Sequence, residues 1–304
     1  MQSPKVSILM ATYNRAGFIG PAIESVRKQT RKDWELIIAD DGSSDATSEV
    51  VKSWEKKESR IVYARSEINQ GISKNYNRGL RLAKGEYVAM IDDDDPWLDD
   101  GKLEKQIKFL DGNPDYVGCG GGVIVVGPSA VIASEAESDS AKRSNLGIAS
   151  SFETPRNDVK ELYRYLKPEK DEEIRKYMLF SNPMANSTTV FRKAAGEKVG
   201  WYDESTRYSG DRDFWLKMGL VGKLYNFPEY FSYYTMSDSN TSVQKIRPHL
   251  KASLMIMKRY KGKYPGYVSA LAFNELQYFY SFLPEKIRKP IHFALARMKR
   301  RTLG

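Results

Sequence analysis

Gly85-Glu-Tyr-Val-Ala-Met-Ile-Asp-Asp-Asp-Asp-Pro-Trp97 runs from an apolar stretch straight into four successive carboxylates. Glu86 to Ile91 has the length and the β-branched and aromatic content of a strand buried on both faces. Upstream, Val6 to Met10, Trp34 to Ala39 and Arg60 to Ala64 read the same way. Amphipathic helical patterns separate them, roughly Ala16 to Gln29, Asp45 to Lys57 and Gly71 to Ala83, with Ser43, Ser44 or Asp45 as the N-cap of the second. Such alternation predicts an α/β fold with a parallel sheet covered by helices on both faces. Ligands of these sheets lie beyond the carboxyl ends of the strands. The strands here are followed by Ala11-Thr-Tyr-Asn14, Asp40-Asp-Gly-Ser43, Asn69-Gln-Gly71 and Asp92 to Asp95, so polar and acidic residues gather on one edge.

After Asp111 the pattern loosens. Gly118, Gly120, Gly121, Gly122 and Gly127 accompany a Val-rich strand and point to bulges or close backbone contacts. Ser134 to Asp158 reads as a polar loop, Asn182 to Arg192 as a strand and Gly210 to Met218 as a helix. Residues 242–301 are mostly helical by pattern, broken by Pro265, Pro284 and Pro290. The organisation expected is one domain over 1–240, with halves near 1–115 and 116–240, and a helical basic extension over 241–304.

The 304 residues and 34.7 kDa are enough for one large domain with an appendage. A single cysteine, Cys119, excludes an intrachain disulfide and favours a reducing compartment. The first apolar run is too short for a signal-peptide core, and nowhere do about 18 apolar residues follow one another, as a membrane span requires. The net charge of +9 is uneven: fourteen Lys and Arg against Glu275 and Glu285 place +12 in residues 243–304, leaving −3 for residues 1–242.

Four adjacent aspartates repel one another unless a cation neutralises them. Hard ions such as Mn²⁺ or Mg²⁺ prefer carboxylate oxygens and bridge to diphosphates, which makes the run a candidate site for a nucleotide diphosphate. A solvated acidic turn capping the next helix is the structural alternative. Asp40-Asp-Gly-Ser-Ser-Asp45 is open to the same two readings, as turn and N-cap or as ligand contact, with a carboxylate placed to accept from the N3 hydrogen of uracil. In Ser209-Gly-Asp-Arg-Asp-Phe-Trp-Leu216, Asp211 and Asp213 point to different faces of a helix, and either a general base or two ordinary first-turn charges fit. No Walker motif or Gly-x-Gly-x-x-Gly is present, and His249 and His292 are the only histidines, both in the basic region. P-loop kinases, simple NAD enzymes, histidine-ligated zinc and Ser-His-Asp hydrolysis are therefore disfavoured.

Val6-Ser-Ile-Leu-Met-Ala-Thr-Tyr-Asn14, Asp40 to Asp45, Asn69-Gln-Gly-Ile-Ser-Lys-Asn-Tyr-Asn-Arg-Gly79, Gly85 to Trp97 and Gly210-Asp-Arg-Asp-Phe-Trp215 occur in the order found in family 2 glycosyltransferases. The chain resembles that family over most of residues 4–220. The resemblance implies a GT-A fold, a Rossmann-like mixed and parallel sheet flanked by helices, and inverting transfer from a nucleotide sugar to a glycan or lipid-linked acceptor. It places Ala11, Thr12, Tyr13 and Asn14 at the nucleotide, Asp41 on the base and Lys74 toward the phosphates. Asp92 and Asp94 match the metal-binding pair, with Asp92 or Asp93 nearer the ribose, and Asp211 falls on the general base. Asp95, Trp97, Asn182, Ser187, Thr188 and Arg212 are candidate acceptor or donor-sugar contacts. Gly210 stands where the family often has Glu, Asn75-Tyr-Asn77 replaces a frequent Ala-Arg-Asn, and a histidine frequent near the end of the catalytic domain is replaced around Thr235 to Ser237. A nucleotidyltransferase and a non-catalytic nucleotide-sugar sensor are the alternatives.

Lys286 to Arg301 sets Ile287, Ile291, Ala294, Leu295 and Met298 on one helical face with cations elsewhere. Such a helix either lies on an anionic membrane or packs on the catalytic domain. The first reading places the protein in the cytoplasm at the inner face of the cell membrane; the acidic remainder disfavours nucleic acid.

Overall fold

The computed structural model describes residues 3–127, 160–236 and 244–284. Strands β1 (Val6–Thr12), β2 (Trp34–Asp40), β3 (Ile61–Arg65) and β4 (Tyr87–Asp92) alternate with helices α1 (Ile19–Arg27), α2 (Thr47–Glu55) and α3 (Ile72–Leu80). All four strands are parallel, with β1 between β2 and β4 and β3 outside β2. Every residue of β1 and β2 is buried, so both read as continuous apolar runs rather than as an alternation.

The chain continues through α4 (Lys102–Gly112), β5 (Tyr116–Val126), β6 (Glu161–Tyr165), α5 (Asp171–Tyr177), a 3₁₀ turn (Asn186–Thr188), β7 (Val190–Arg192) and α6 (Lys193–Lys198). It ends with α7 (Gly210–Val221), β8 (Lys223–Thr235), α8 (Ile246–Arg259) and α9 (Tyr267–Tyr280). The sheet order is β3-β2-β1-β4-β7-β5-β6, with β8 pairing β5. β7 is antiparallel to β4 and β5, whereas β8 runs parallel to β5. The result is the α/β mixed sheet that the resemblance implied.

Side chains of β1 alternate between two cores, as successive Cβ atoms must. Ile8 and Met10 pack with α1, α2 and α4, while Leu9 and Ala11 join the cluster holding Phe214, Trp215 and Met218 of α7. That second cluster also takes Leu254, Ile256 and Met257 of α8 and Ala270 of α9. Residues 246–280 therefore share the main core, each large side chain contributing about 1.5–3 kcal/mol of burial.

Two expectations are corrected. The N-cap of α2 is Ala46, without a side-chain cap bond; Asp45 instead accepts from the Thr47 N–H at 3.0 Å. Asn182 to Arg192 is strand only at its end, because the 3₁₀ turn intervenes. The glycine-rich β5 is both bulged and crowded: its register against β8 shifts repeatedly, and a Cβ at Gly121 would lie 2.5 Å from the Phe231 ring. The loop read at Ser134 to Asp158 and the helix read at Lys286 to Arg301 lie outside the described residues.

Candidate active site

β1 and β4 pair Ala11 with Asp92, so the first loop and the acidic run begin side by side at the carboxyl edge of the sheet. A cleft of about 610 Å³ opens there. Ala11, Thr12, Tyr13, Arg15, Asp41 and Asp92 to Asp95 line one side, and Tyr202, Arg207 to Asp211, Lys245 and His249 line another.

The four aspartates are not equivalent. Tyr76 Oη and Asn186 Nδ2 donate to Asp92 Oδ1 at 3.0 and 3.1 Å, and Ser187 Oγ donates to Asp92 Oδ2 at 2.7 Å. Asp95 accepts from the Thr235 N–H at 2.8 Å and lies 2.9 Å from the same Ser187 hydroxyl. One hydroxyl has one proton for two carboxylates. Burial, reinforced by Asp94 and Asp92, pushes the Asp95 carboxyl well above its ordinary range, so Asp95 can hold the second proton.

Burial and the neighbouring Asp94 charge raise Asp93 to about 8, against the opposing influence of Thr12 and Arg15. Burial and then Asp92 raise Asp94 to about 6. The Arg15 guanidinium stands 3.9 Å from Asp93 and 3.8 Å from Asp94. Among the described residues no three acidic, His or Cys side chains form a closed metal cage. With Asp92 and Asp95 engaged by protein donors, Asp93 and Asp94 are the run's carboxylates left facing the cleft and Arg15, Asp94 the less buried of the two. That donor set fits a hard dication that takes one or two carboxylates and completes its shell with phosphate oxygens and water.

Asp211 enters from the first turn of α7, where the helix dipole favours an anion. Asn182 Nδ2 donates to Asp211 Oδ2 at 2.6 Å. Burial raises the Asp211 carboxyl and Asp92 adds to the rise, while the Arg212 N–H and Asn182 oppose it. Asp213 has a different role: it is buried and accepts from Tyr260 Oη at 2.9 Å. Gly210 has a steric reason, since a Cβ there would lie 2.9 Å from Ser73 Oγ where α7 abuts α3.

Asp41 lines the cleft while both its oxygens accept backbone N–H groups, from Gln70 and Gly71, each at 2.9 Å. Asn14, in the left-handed region at φ 54°, accepts from the Ser44 N–H at 2.8 Å and so ties the first loop to the second. Lys74 is exposed and outside the cleft lining. Trp97 is fully buried and donates from Nε1 to the Ser187 carbonyl at 2.7 Å, so it positions Ser187 from the core. Thr188 and Arg212 are also buried, Thr188 donating to the Ala185 carbonyl and Arg212 to the Leu179 carbonyl.

The sequence reading missed Tyr76, Asn186, Arg15 and His249. His249 was set apart as part of the basic region, yet the fold brings its Nδ1 within 3.5 Å of Ser209 Oγ, beside Asp211. Burial lowers its imidazole, while Asp211 acts in the opposite direction.

Residues 7–129 match the family described as glycosyl transferase family 2. Over that stretch, which carries the first loop and the acidic run, the chain is similar to that family. An uncharacterized glycosyltransferase of Methanocaldococcus jannaschii is 26% identical over 265 residues, covering 85% of this chain and 80% of that one. A GalNAc(5)-diNAcBac-PP-undecaprenol beta-1,3-glucosyltransferase of Campylobacter jejuni is 43% identical over 96 residues, 31% of each chain. The fold is shared with S. aureus TarS 1–349 in complex with UDP-GlcNAc, at TM-score 0.60 and 18% identity over 91% of this chain and 73% of that one. It is shared too with the mannosyltransferase PcManGT from Pyrobaculum calidifontis in complex with GDP-Man and Mn²⁺, at TM-score 0.61 and 15% identity over 98% and 81%.

Proposed function

We propose that this glycosyltransferase moves a sugar from a nucleotide-diphosphate donor, a UDP-sugar, to a hydroxyl of a glycan or lipid-linked acceptor with inversion. One observation carries the reading: Asp211, held by Asn182 and made more basic by burial, shares a single cleft with the strand-end aspartates. In the proposed step Asp211 takes the proton of the acceptor hydroxyl as its oxygen attacks the anomeric carbon. The bond from that carbon to the diphosphate oxygen breaks, and the electron pair leaves with the diphosphate. Bound Mn²⁺ or Mg²⁺ supplies neutralisation of the charge building on that leaving group. Asp94 would hold the ion, with Asp92, fixed by three donors, or Asp93 nearer the ribose. Arg15 faces the same charge.

Thr12 and Tyr13 flank the base in this reading. A carboxylate offers about four lone-pair sites, so Asp41 retains capacity for uracil N3–H beyond its two backbone bonds. The undecaprenol named in the Campylobacter relative supports a lipid-linked acceptor, and the cations of residues 286–301 support a position at an anionic membrane face.

The test is product analysis with UDP- and GDP-sugars and Mn²⁺. Release of nucleotide diphosphate is expected, and Asp211→Asn should lower turnover by about 10²–10⁴-fold while donor binding, read by thermal shift, persists. Full turnover in that variant overturns the assignment. Pyrophosphate release would identify nucleotidyl transfer, and donor binding without turnover would identify a sensor.

A further inference from the structure

Helix α9 turns its apolar side toward water. Val268, Leu276, Phe279, Phe282 and Leu283 are 78%, 61%, 68%, 51% and 38% exposed. With Ala272, also exposed, positions 268, 272, 276 and 279 fall on one face of α9, and Phe282 and Leu283 continue it in the turn that follows the helix. The other face is committed, because Ala270, Asn274 and Tyr280 are buried. Single exposed apolar side chains need no explanation, but a contiguous stripe marks an interaction surface.

Cations surround the stripe. α8 packs antiparallel to α9: Arg247 lies 4.2 Å from the Phe282 ring centroid, and Lys258 pairs with Glu275 at 3.4 Å. Lys245, Arg247, Lys251 and Lys258 are exposed along α8. The start of α8 also reaches the active site, since Lys245 and His249 line the cleft. The Phe282 end of the stripe therefore lies beside the cleft.

We propose that the face from Val268 to Leu283 docks on the anionic surface of a lipid bilayer, with the apolar side chains entering the headgroup boundary and the flanking cations on the phosphates. Apolar insertion and a basic cluster are the two signals that together give stable peripheral binding. A second copy of this chain is a poorer occupant, because it would bring the same cations against one another. The use of the surface, presenting the cleft to a membrane-borne acceptor, rests on the proposed transfer reaction; the binding does not.

The test uses the full chain with vesicles of phosphatidylcholine alone or containing phosphatidylglycerol, in a flotation assay without donor. Wild type is expected to float with the anionic vesicles only, less so as salt rises. A Leu276→Ser, Phe279→Ser, Leu283→Ser variant should partition about tenfold less or worse, with unchanged melting temperature and unchanged turnover on a water-soluble acceptor. Arg247→Gln, Lys251→Gln should weaken binding and flatten its salt dependence. The proposal is overturned by equal flotation of the Ser variant, by a monomeric wild type that ignores anionic vesicles because residues 285–304 cover the stripe, or by a dimer that the Ser variant dissociates. None of these outcomes alters nucleotide diphosphate release, so the transfer reading stands or falls separately.

Discussion

β2 and β4 are both buried parallel strands, and both end in acidic residues, yet the two ends differ in what meets the charge. After β2, Asp40 accepts from the Ser43 N–H at 2.8 Å and Asp41 accepts from two backbone N–H groups. Their oxygens close a turn. After β4, donors reach Asp92 and Asp95, while Asp93 and Asp94 face Arg15 at nearly 4 Å and are raised to about 8 and 6. The same primary pattern is turn chemistry where N–H groups are plentiful and a cation-seeking cluster where they are few.

Substitutions that remove one charge from each end should separate these roles. Asp94→Asn is expected to lower Mn²⁺-dependent turnover by about 10²-fold or more while leaving the melting temperature equal or higher. Asp41→Asn keeps one acceptor of two and should cost about 1–2 kcal/mol of stability, measured by urea unfolding, with a raised donor KM. Equal stability losses in the two variants would erase the contrast.

A second test is pH. The folded chain holds protons on Asp93 and Asp94 that an unfolded chain, at the ordinary 3.8, has lost. Stability of the metal-free protein should therefore fall as pH rises from about 4 toward 8, and Mn²⁺ with nucleotide diphosphate should reverse the fall. Thermal melts across that range in chelator check the slope. Lys102 gives a smaller effect of opposite sign. Its Nζ is buried 4.0 Å from the Trp97 ring centroid with no hydrogen-bond partner among the described residues, and burial lowers it from 10.5 to about 7. Between those values the unfolded chain holds the proton and the folded chain does not, so this part of stability rises with pH. Lys102→Met should add roughly 1–3 kcal/mol at pH 7 and abolish the alkaline rise.

The parallel half was legible because its signals are local: apolar runs of strand length, helical periodicity between them and acids at the strand ends. That Asp211 and Asp213 leave α7 in different directions followed from helical geometry, whereas the choice of Asp211 as the base came from the resemblance. Trp97 was misread as a ligand contact because adjacency to the acidic run says nothing about which way a side chain turns; here it turns into the core. Asn186 and Ser187 belong to a 3₁₀ turn that no periodicity announces, and their bonds to Asp92 span 94 and 95 residues. His249 reaches Ser209 only because α8 joins the core, a packing fact that a net charge of +12 conceals.

The clamp on the acidic run also sets when that run can first take its final form. Asp92 must wait for Ser187, and Asp95 for Thr235, 140 residues farther on. At ribosomal rates this leaves the carboxylates without their final partners for about 5–30 s of synthesis. A growing or prematurely ended chain thus presents the strand and the acids before their partners exist, and the clamp closes only once residue 235 has been made.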